Sequence, residues 1–205
     1  MPSMAFIYHT NFLLGALFCI QFYTPNLQAA QFELTSMIGK SFNANIVSSD
    51  NTTSILSTNN EPNYTLAFAW EDSPRGQGQI LVNYISRDFP DDKNKKNHTL
   101  DTVYVHFSGV ALFKQINYVT TVGFGVGATY FNSDYDAVIY PSMTATIGTR
   151  YEFSDNLALV TELRGYATLT DTDDALFCQT NRCVAKFDST LWIDTQISIG
   201  VAYGF

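Results

Sequence analysis

The C-terminal segment of the chain alternates almost without interruption. Leu191, Ile193, Thr195, Ile197, Ile199, Val201, Tyr203 and Phe205 fall on one parity; Trp192, Asp194, Gln196, Ser198, Gly200, Ala202 and Gly204 fall on the other. A period of two marks a β-strand whose faces meet different surroundings. The same rhythm sets Leu157, Leu159, Leu163 and Leu169 against Glu162, Arg164 and Tyr166. It also sets Tyr118, Val122, Phe124, Val126 and Tyr130 against Gly123, Gly125 and Gly127. Strands are predicted at 31–42, 62–71, 77–87, 101–114, 116–131, 142–153, 156–170 and 188–205, and no stretch sustains a helical period.

The connections carry a second pattern. Long polar segments, such as 43–61, 88–100 and 171–187, follow the odd-numbered strands; short turns at 72–76, 115 and 154–155 follow the even ones. An even number of antiparallel strands with long loops at one rim and tight turns at the other describes an up-and-down transmembrane barrel. Alternation alone does not say which face is outside, because a soluble barrel with a ligand cavity would alternate too. Chemistry decides. The polar faces carry Glu33, Glu71, Arg150, Glu152, Glu162, Arg164 and Asp194 among many Gly and Ala, which suits a crowded interior, while the apolar faces end in Tyr and Phe.

Composition agrees with that assignment. Only 15% of residues are charged, and 16 Phe and 12 Tyr accompany 2 Trp. Mean hydropathy is close to zero, so membrane helices are not expected, whereas apolar and polar faces of a barrel average out. A net charge of -8 excludes a nucleic-acid partner, which needs a basic surface. Ahead of the first strand, residues 12–20 form an apolar core too short to anchor, followed by Pro25 and by Leu27-Gln28-Ala29. Residues 1–30 are therefore expected to be a signal peptide cleaved within 29–31, leaving 31–205 as the barrel domain.

Residues 31–205 resemble the small outer-membrane β-barrel families of proteobacteria, in the size class of the OmpA/OmpX-type and OmpW-type barrels. Ile199, Val201, Tyr203 and terminal Phe205 resemble the signal read by the outer-membrane assembly machinery. Leu163-Arg164-Gly165-Tyr166, with Ala175-Leu176-Phe177-Cys178 and Cys183, resembles a poorly characterised branch of these barrels. That resemblance implies outer-membrane lipid, lipopolysaccharide, periplasmic chaperones and the assembly machinery as partners.

Candidate chemistry is sparse. Arg150, Glu152, Glu162, Arg164 and Asp194 are expected to form an ionic network filling the lumen, with Arg150 opposite Val160 and diagonal to Glu162. A gate for small ions is the alternative use of the same residues. Cys178 and Cys183 in the last long loop read as a disulfide in an exported protein. His106 and Ser108 share a strand face with Tyr104 and raise the possibility of a lipid A-modifying enzyme. Both face the lumen, however, and no nucleophile-elbow motif is present, so no catalytic residue is assigned. The acidic runs Asp171-Thr172-Asp173-Asp174 and Asp88 with Asp91-Asp92 lack calcium-loop spacing, and neither metal nor cofactor is expected. Lys93, Lys95 and Lys96 are candidates for lipopolysaccharide phosphates. The sequence thus predicts an eight-stranded antiparallel barrel with a structural or surface-interaction role; a narrow channel is the second reading and an enzyme the least favoured.

Overall fold

The computed structural model describes residues 32–43, 46–48, 55–56, 61–91, 96–172, 176, 178–179, 182–183, 185–187 and 189–205. The expected leader, residues 1–30, lies outside the described residues. Eight strands form a closed barrel: β1 (Phe32–Asn43), β2 (Pro62–Ser73), β3 (Gly76–Asp91), β4 (Lys96–Lys114), β5 (Val119–Ser133), β6 (Ala137–Glu152), β7 (Leu157–Leu169) and β8 (Leu191–Gly204). Each pairs antiparallel with its neighbours in sequence, and β1 pairs with β8 to close the ring. At that seam Glu33 faces Gly204, and Phe32 and Phe205 exchange backbone hydrogen bonds of 3.2 and 2.9 Å. Closure satisfies every strand's ladder, so no open row of amides is left at membrane depth.

Residue parity does the sorting that the sequence implied. Along β8, Trp192, Asp194, Gln196, Ser198 and Ala202 are buried while Leu191, Ile193, Ile197, Ile199, Val201 and Tyr203 are exposed. The exposed apolar side chains, among them Leu66, Phe107, Phe124, Ile147 and Leu163, come from every strand of the barrel and ring its outer wall. A soluble monomer rarely exposes more than a few hundred Å² of contiguous apolar surface, so this belt meets hydrocarbon. Aromatic rings gather at the tight-turn end of the wall: Phe32 stacks on Phe68 at 5.6 Å, and Trp70 lies 5.7 Å from Phe107. Such rings flank the apolar band of membrane barrels.

Several strand boundaries differ from the sequence reading. Residues 88–100, expected as a loop, largely continue the β3–β4 hairpin, with Asp88 opposite Thr99 and Asp91 opposite Lys96. Similarly, β5 and β6 extend to a turn at 134–136, and β5 begins at Val119 because the amide of Gln115 donates to the carbonyl of Tyr118 across a tight turn. Polar composition marked where the chain leaves the membrane, but backbone pairing persists in water beyond that point. Outside the barrel, Ile46–Ser48 pairs with both Ile55–Leu56 and Ala185–Phe187, joining the first and last long loops in a small sheet.

Candidate functional site

Inside the barrel the side chains form a sequence of tiers between the two rims. At the long-loop rim, Leu100, Phe131 and Trp192 point inward, and Leu176 and Phe187 of the last loop pack on them. Phe187 meets Phe131 at 5.4 Å and Trp192 at 5.6 Å, so the loop closes this mouth with an apolar cap. The 171–187 segment reads as polar loop, yet Leu176 and Phe187 are out of character with it. They were the available sign that part of the loop turns inward.

Beneath the cap sits the first ion pair. Arg87 Nη2 lies 2.9 Å from Asp194 Oδ2, and both side chains are essentially inaccessible at 0% and 1% exposure. The same oxygen accepts from Trp192 Nε1 at 3.0 Å and from the Tyr104 hydroxyl. Arg87 Nη2 and Asp194 Oδ1 have no aligned hydrogen-bond partner, so the pair is held by charge and proximity more than by a bidentate bond. Below it, Tyr104 and Tyr166 stack with centroids 4.0 Å apart and planes 12° from parallel. Asn83 donates to Gln196 at 2.9 Å and accepts from Thr65 at 2.9 Å.

The second pair is bidentate. Arg164 Nε and Nη2 donate to the two Glu162 oxygens at 2.6 and 2.9 Å, and longer contacts of 3.4 Å reach Thr144 and Gln79. The third tier lies at the tight-turn rim: Arg150 pairs with Glu33 and stands 3.5 Å from Glu152. Arg150 is indeed opposite Val160, but its cation turns across the β1 side of the lumen to Glu33 and not along the sheet to Glu162. The five residues expected to share one network therefore belong to separate tiers. Asp194 takes Arg87, Arg164 takes Glu162, and Arg150 takes Glu33 and Glu152. Arg87 was not among the sequence candidates, although it ends the strand predicted at 77–87. Its parity with Leu81, Asn83 and Ile85 was the signal that it faces inward.

Side-chain exposure rises from 0% and 1% for Arg87 and Asp194, through 0% and 8% for Arg164 and Glu162, to 16% and 59% for Arg150 and Glu152. The lumen is thus shut at the long-loop rim and opens towards the turns. There a vestibule of about 500 Å³ is lined by Glu33, Glu71, Lys114, Arg150, Glu152 and Asp155. Among the described residues, no group of three or more His, Cys, Asp and Glu is placed to hold a metal ion.

His106 and Ser108 are both buried inside the barrel. His106 Nε2 is hydrogen-bonded to Ser142 Oγ at 2.9 Å, not to Ser108, whose hydroxyl has no partner. Neither Nδ1 of His106 nor the Ser108 hydroxyl has an orienting group, so the triad logic of a nucleophilic site is unmet. Ile199, Val201, Tyr203 and Phe205 are all exposed on the outer wall. The backbones of Cys178–Gln179 and Arg182–Cys183 pair with Cys178 opposite Cys183; the side chains of both cysteines, and of Lys93, Lys95 and Lys96, lie outside the described residues. So do Asp173 and Asp174 and the side chains of Asp91 and Asp92.

No family model matches the chain, and no curated protein matches it in sequence. Solved structures do. The chain is similar to the outer membrane protein AlkL in lipid bilayers, with a TM-score of 0.53 and 13% identity over 86% of this chain and 90% of that one. It is similar to Ail, the attachment invasion locus protein of Yersinia pestis, solved with the heparin analogue sucrose octasulfate (TM-score 0.52, 11% identity, 86% of this chain and 99% of that one). Neisserial surface protein A gives a TM-score of 0.51 at 9% identity, covering 85% of this chain and 97% of that one. At such identities the likeness concerns backbone architecture, and it coincides with an apolar outer belt and an ionic interior found here independently. The chain has the fold of the small outer-membrane β-barrels.

Proposed function

We propose that this chain is an integral outer-membrane protein with a structural or surface-interaction role, held in lipid by its wall and presenting its long loops outward. The observation that carries this reading is the closed lumen. Fully buried ion pairs fill its middle, and an apolar cap seals one mouth, so the interior serves rigidity more readily than transport. Ail, named as an attachment invasion locus protein, and Neisserial surface protein A are instances of this fold. On the same reading, residues 1–30 are removed on export and the tight-turn rim faces the periplasm. Ile199, Val201, Tyr203 and Phe205 address the chain to the assembly machinery and its chaperones. Cys178 and Cys183 form a disulfide, and Lys93, Lys95 and Lys96 meet lipopolysaccharide phosphates. The test is planar-bilayer recording of residues 31–205 refolded into lipid. The expected result is a silent membrane. Sustained ohmic steps that scale with salt would replace this role with that of a narrow channel.

A further inference from the structure

The outer wall is covered unevenly. Across one row of the sheet, Trp70 of β2, Gly78 of β3, Gly109 of β4 and Phe124 of β5 stand side by side in register. The next row towards the tight turn has Gly76, Ala111 and Val122. Two bulky rings therefore flank a floor with almost no side chains, and Phe107 with Ile80 closes its upper end. The result is a groove of about 620 Å³ on the lipid-facing surface, within the size range of small-molecule sites. Trp70 leans over Gly78, where an added Cβ would come within 2.7 Å of the indole nitrogen, so that part of the floor is already covered. Gly109 differs: a Cβ built there meets nothing within 4 Å. Phe107 and Phe124, 56% and 58% exposed, stand proud on either side of it.

The mouth of the groove carries opposite charges. Asp72 and Arg75, at the β2–β3 turn, both line it. They are not within ion-pair distance of each other, and neither side chain has a partner among the described residues. The indole N–H of Trp70 is likewise unengaged. An unpaired guanidinium offers a fork suited to phosphate; a carboxylate beside it suits an ammonium with N–H donors. An indole at the apolar–polar boundary can donate to an ester carbonyl.

We propose that this groove binds one phospholipid with a zwitterionic, primary-amine headgroup, an ethanolamine-type lipid. Its phosphate meets Arg75, its ammonium meets Asp72, and one acyl chain lies over Gly109 between Phe107 and Phe124. The site rests on the transmembrane reading, and it adds a ligand of defined headgroup to a wall that would otherwise meet lipid indiscriminately. A choline headgroup keeps the phosphate but has no N–H to give Asp72. A glycerol headgroup has no cation at all and leaves that carboxylate facing an anion.

The test uses residues 31–205 refolded into nanodiscs of phosphatidylcholine. Chain-brominated phosphatidylethanolamine, phosphatidylcholine or phosphatidylglycerol is added at equal low mole fraction. Bromine quenches indole emission on contact. Of the two tryptophans, Trp192 is shut inside the cap, so quenching reports Trp70. The ethanolamine lipid is expected to associate about fivefold more tightly than either other lipid, the ratio that one headgroup charge contact supplies. Asp72→Asn should reduce that preference, Arg75→Gln should weaken the association of all three lipids by removing the partner of their shared phosphate, and Gly109→Leu should abolish the preference by filling the floor while leaving the barrel folded. Identical curves for the three lipids, or a preference that survives Gly109→Leu, would overturn the site. So would protection of Trp70 that grows with protein-to-lipid ratio, which would assign the groove to a second copy of the chain. Absence of quenching by every brominated lipid would instead defeat the transmembrane reading itself.

Discussion

Removing the Asp194 carboxylate should be among the most damaging single changes available in the lumen. The side chain lies 2.9 Å from Arg87, and both are inaccessible to solvent. It also accepts from Trp192 Nε1 and from Tyr104. In Asp194→Ala the guanidinium stays buried with no counter-charge, and breaking a buried pair in this way costs about 3–5 kcal/mol. The loss of an acceptor for two further buried donors keeps the expectation in the upper half of that range. Because Arg87 is the stranded group, Arg87→Met in the Asp194→Ala background should restore at least about 2 kcal/mol, giving a large coupling in a double-mutant cycle. The assay is equilibrium urea unfolding of the refolded barrel in lipid vesicles, scored by the gel shift between folded and unfolded forms and by far-UV circular dichroism. Midpoint and slope are compared across the four proteins of the cycle. If Asp194→Ala unfolds within about 0.5 kcal/mol of the parent, or if the two single effects simply add, the pair is not the buried, unscreened contact inferred here.

Arg164→Ala strands Glu162 nearer the open vestibule, where water can reach it, so a smaller loss of about 2–3 kcal/mol is expected in the same unfolding assay. Unchanged stability together with new conductance would turn that pair from a strut into a gate. Phe187→Ala removes a ring packed on Phe131 and Trp192; stability should fall by about 3 kcal/mol and Trp192 emission should shift to longer wavelength. An unshifted spectrum would mean that the last loop does not seal the mouth. Oxidised, fully unfolded protein lacking residues 1–30 should show no reactive thiol if the proposed Cys178–Cys183 bridge forms, the backbones of the two residues being paired opposite each other in a two-stranded ladder; two titrating thiols would exclude the bridge.

The wall of the barrel was readable from the sequence because lipid imposes one rule on every strand. From Leu191 to Phe205 each second residue except Thr195 is apolar, and the structure turns those apolar side chains outward without exception. The lumen follows no such rule. Arg150 could have crossed to Glu162 or to Glu33, and only barrel closure, which brings β1 round to β6 through the interior, selects Glu33. Arg87 and Asp194 meet across the lumen, a contact between residues far apart in sequence that periodicity does not encode. Leu176 and Phe187 were hidden for a different reason: a loop that folds back as a lid carries its apolar residues without a period to announce them. The extension of β3 and β4 past residue 88 was missed because polar composition was equated with the end of pairing. Phase carried outward past Arg87 would have found the longer hairpin, and the parity of Arg87 with Leu81, Asn83 and Ile85 inside the predicted strand would have found its inward direction.

The junction of Phe32–Asn43 with Leu191–Gly204 has a kinetic meaning. Its partners are separated by nearly the whole domain, so the entropy of bringing them together is met in full before any of the ring's final hydrogen bonds form. A nascent chain missing only its last dozen residues would own nearly all of its lipid-facing surface and none of its closure, with two unmatched rows of amides and carbonyls in search of a partner. Premature termination here should therefore yield insoluble or chaperone-bound material and not a smaller barrel, and quality control need inspect only one strand to judge the whole molecule.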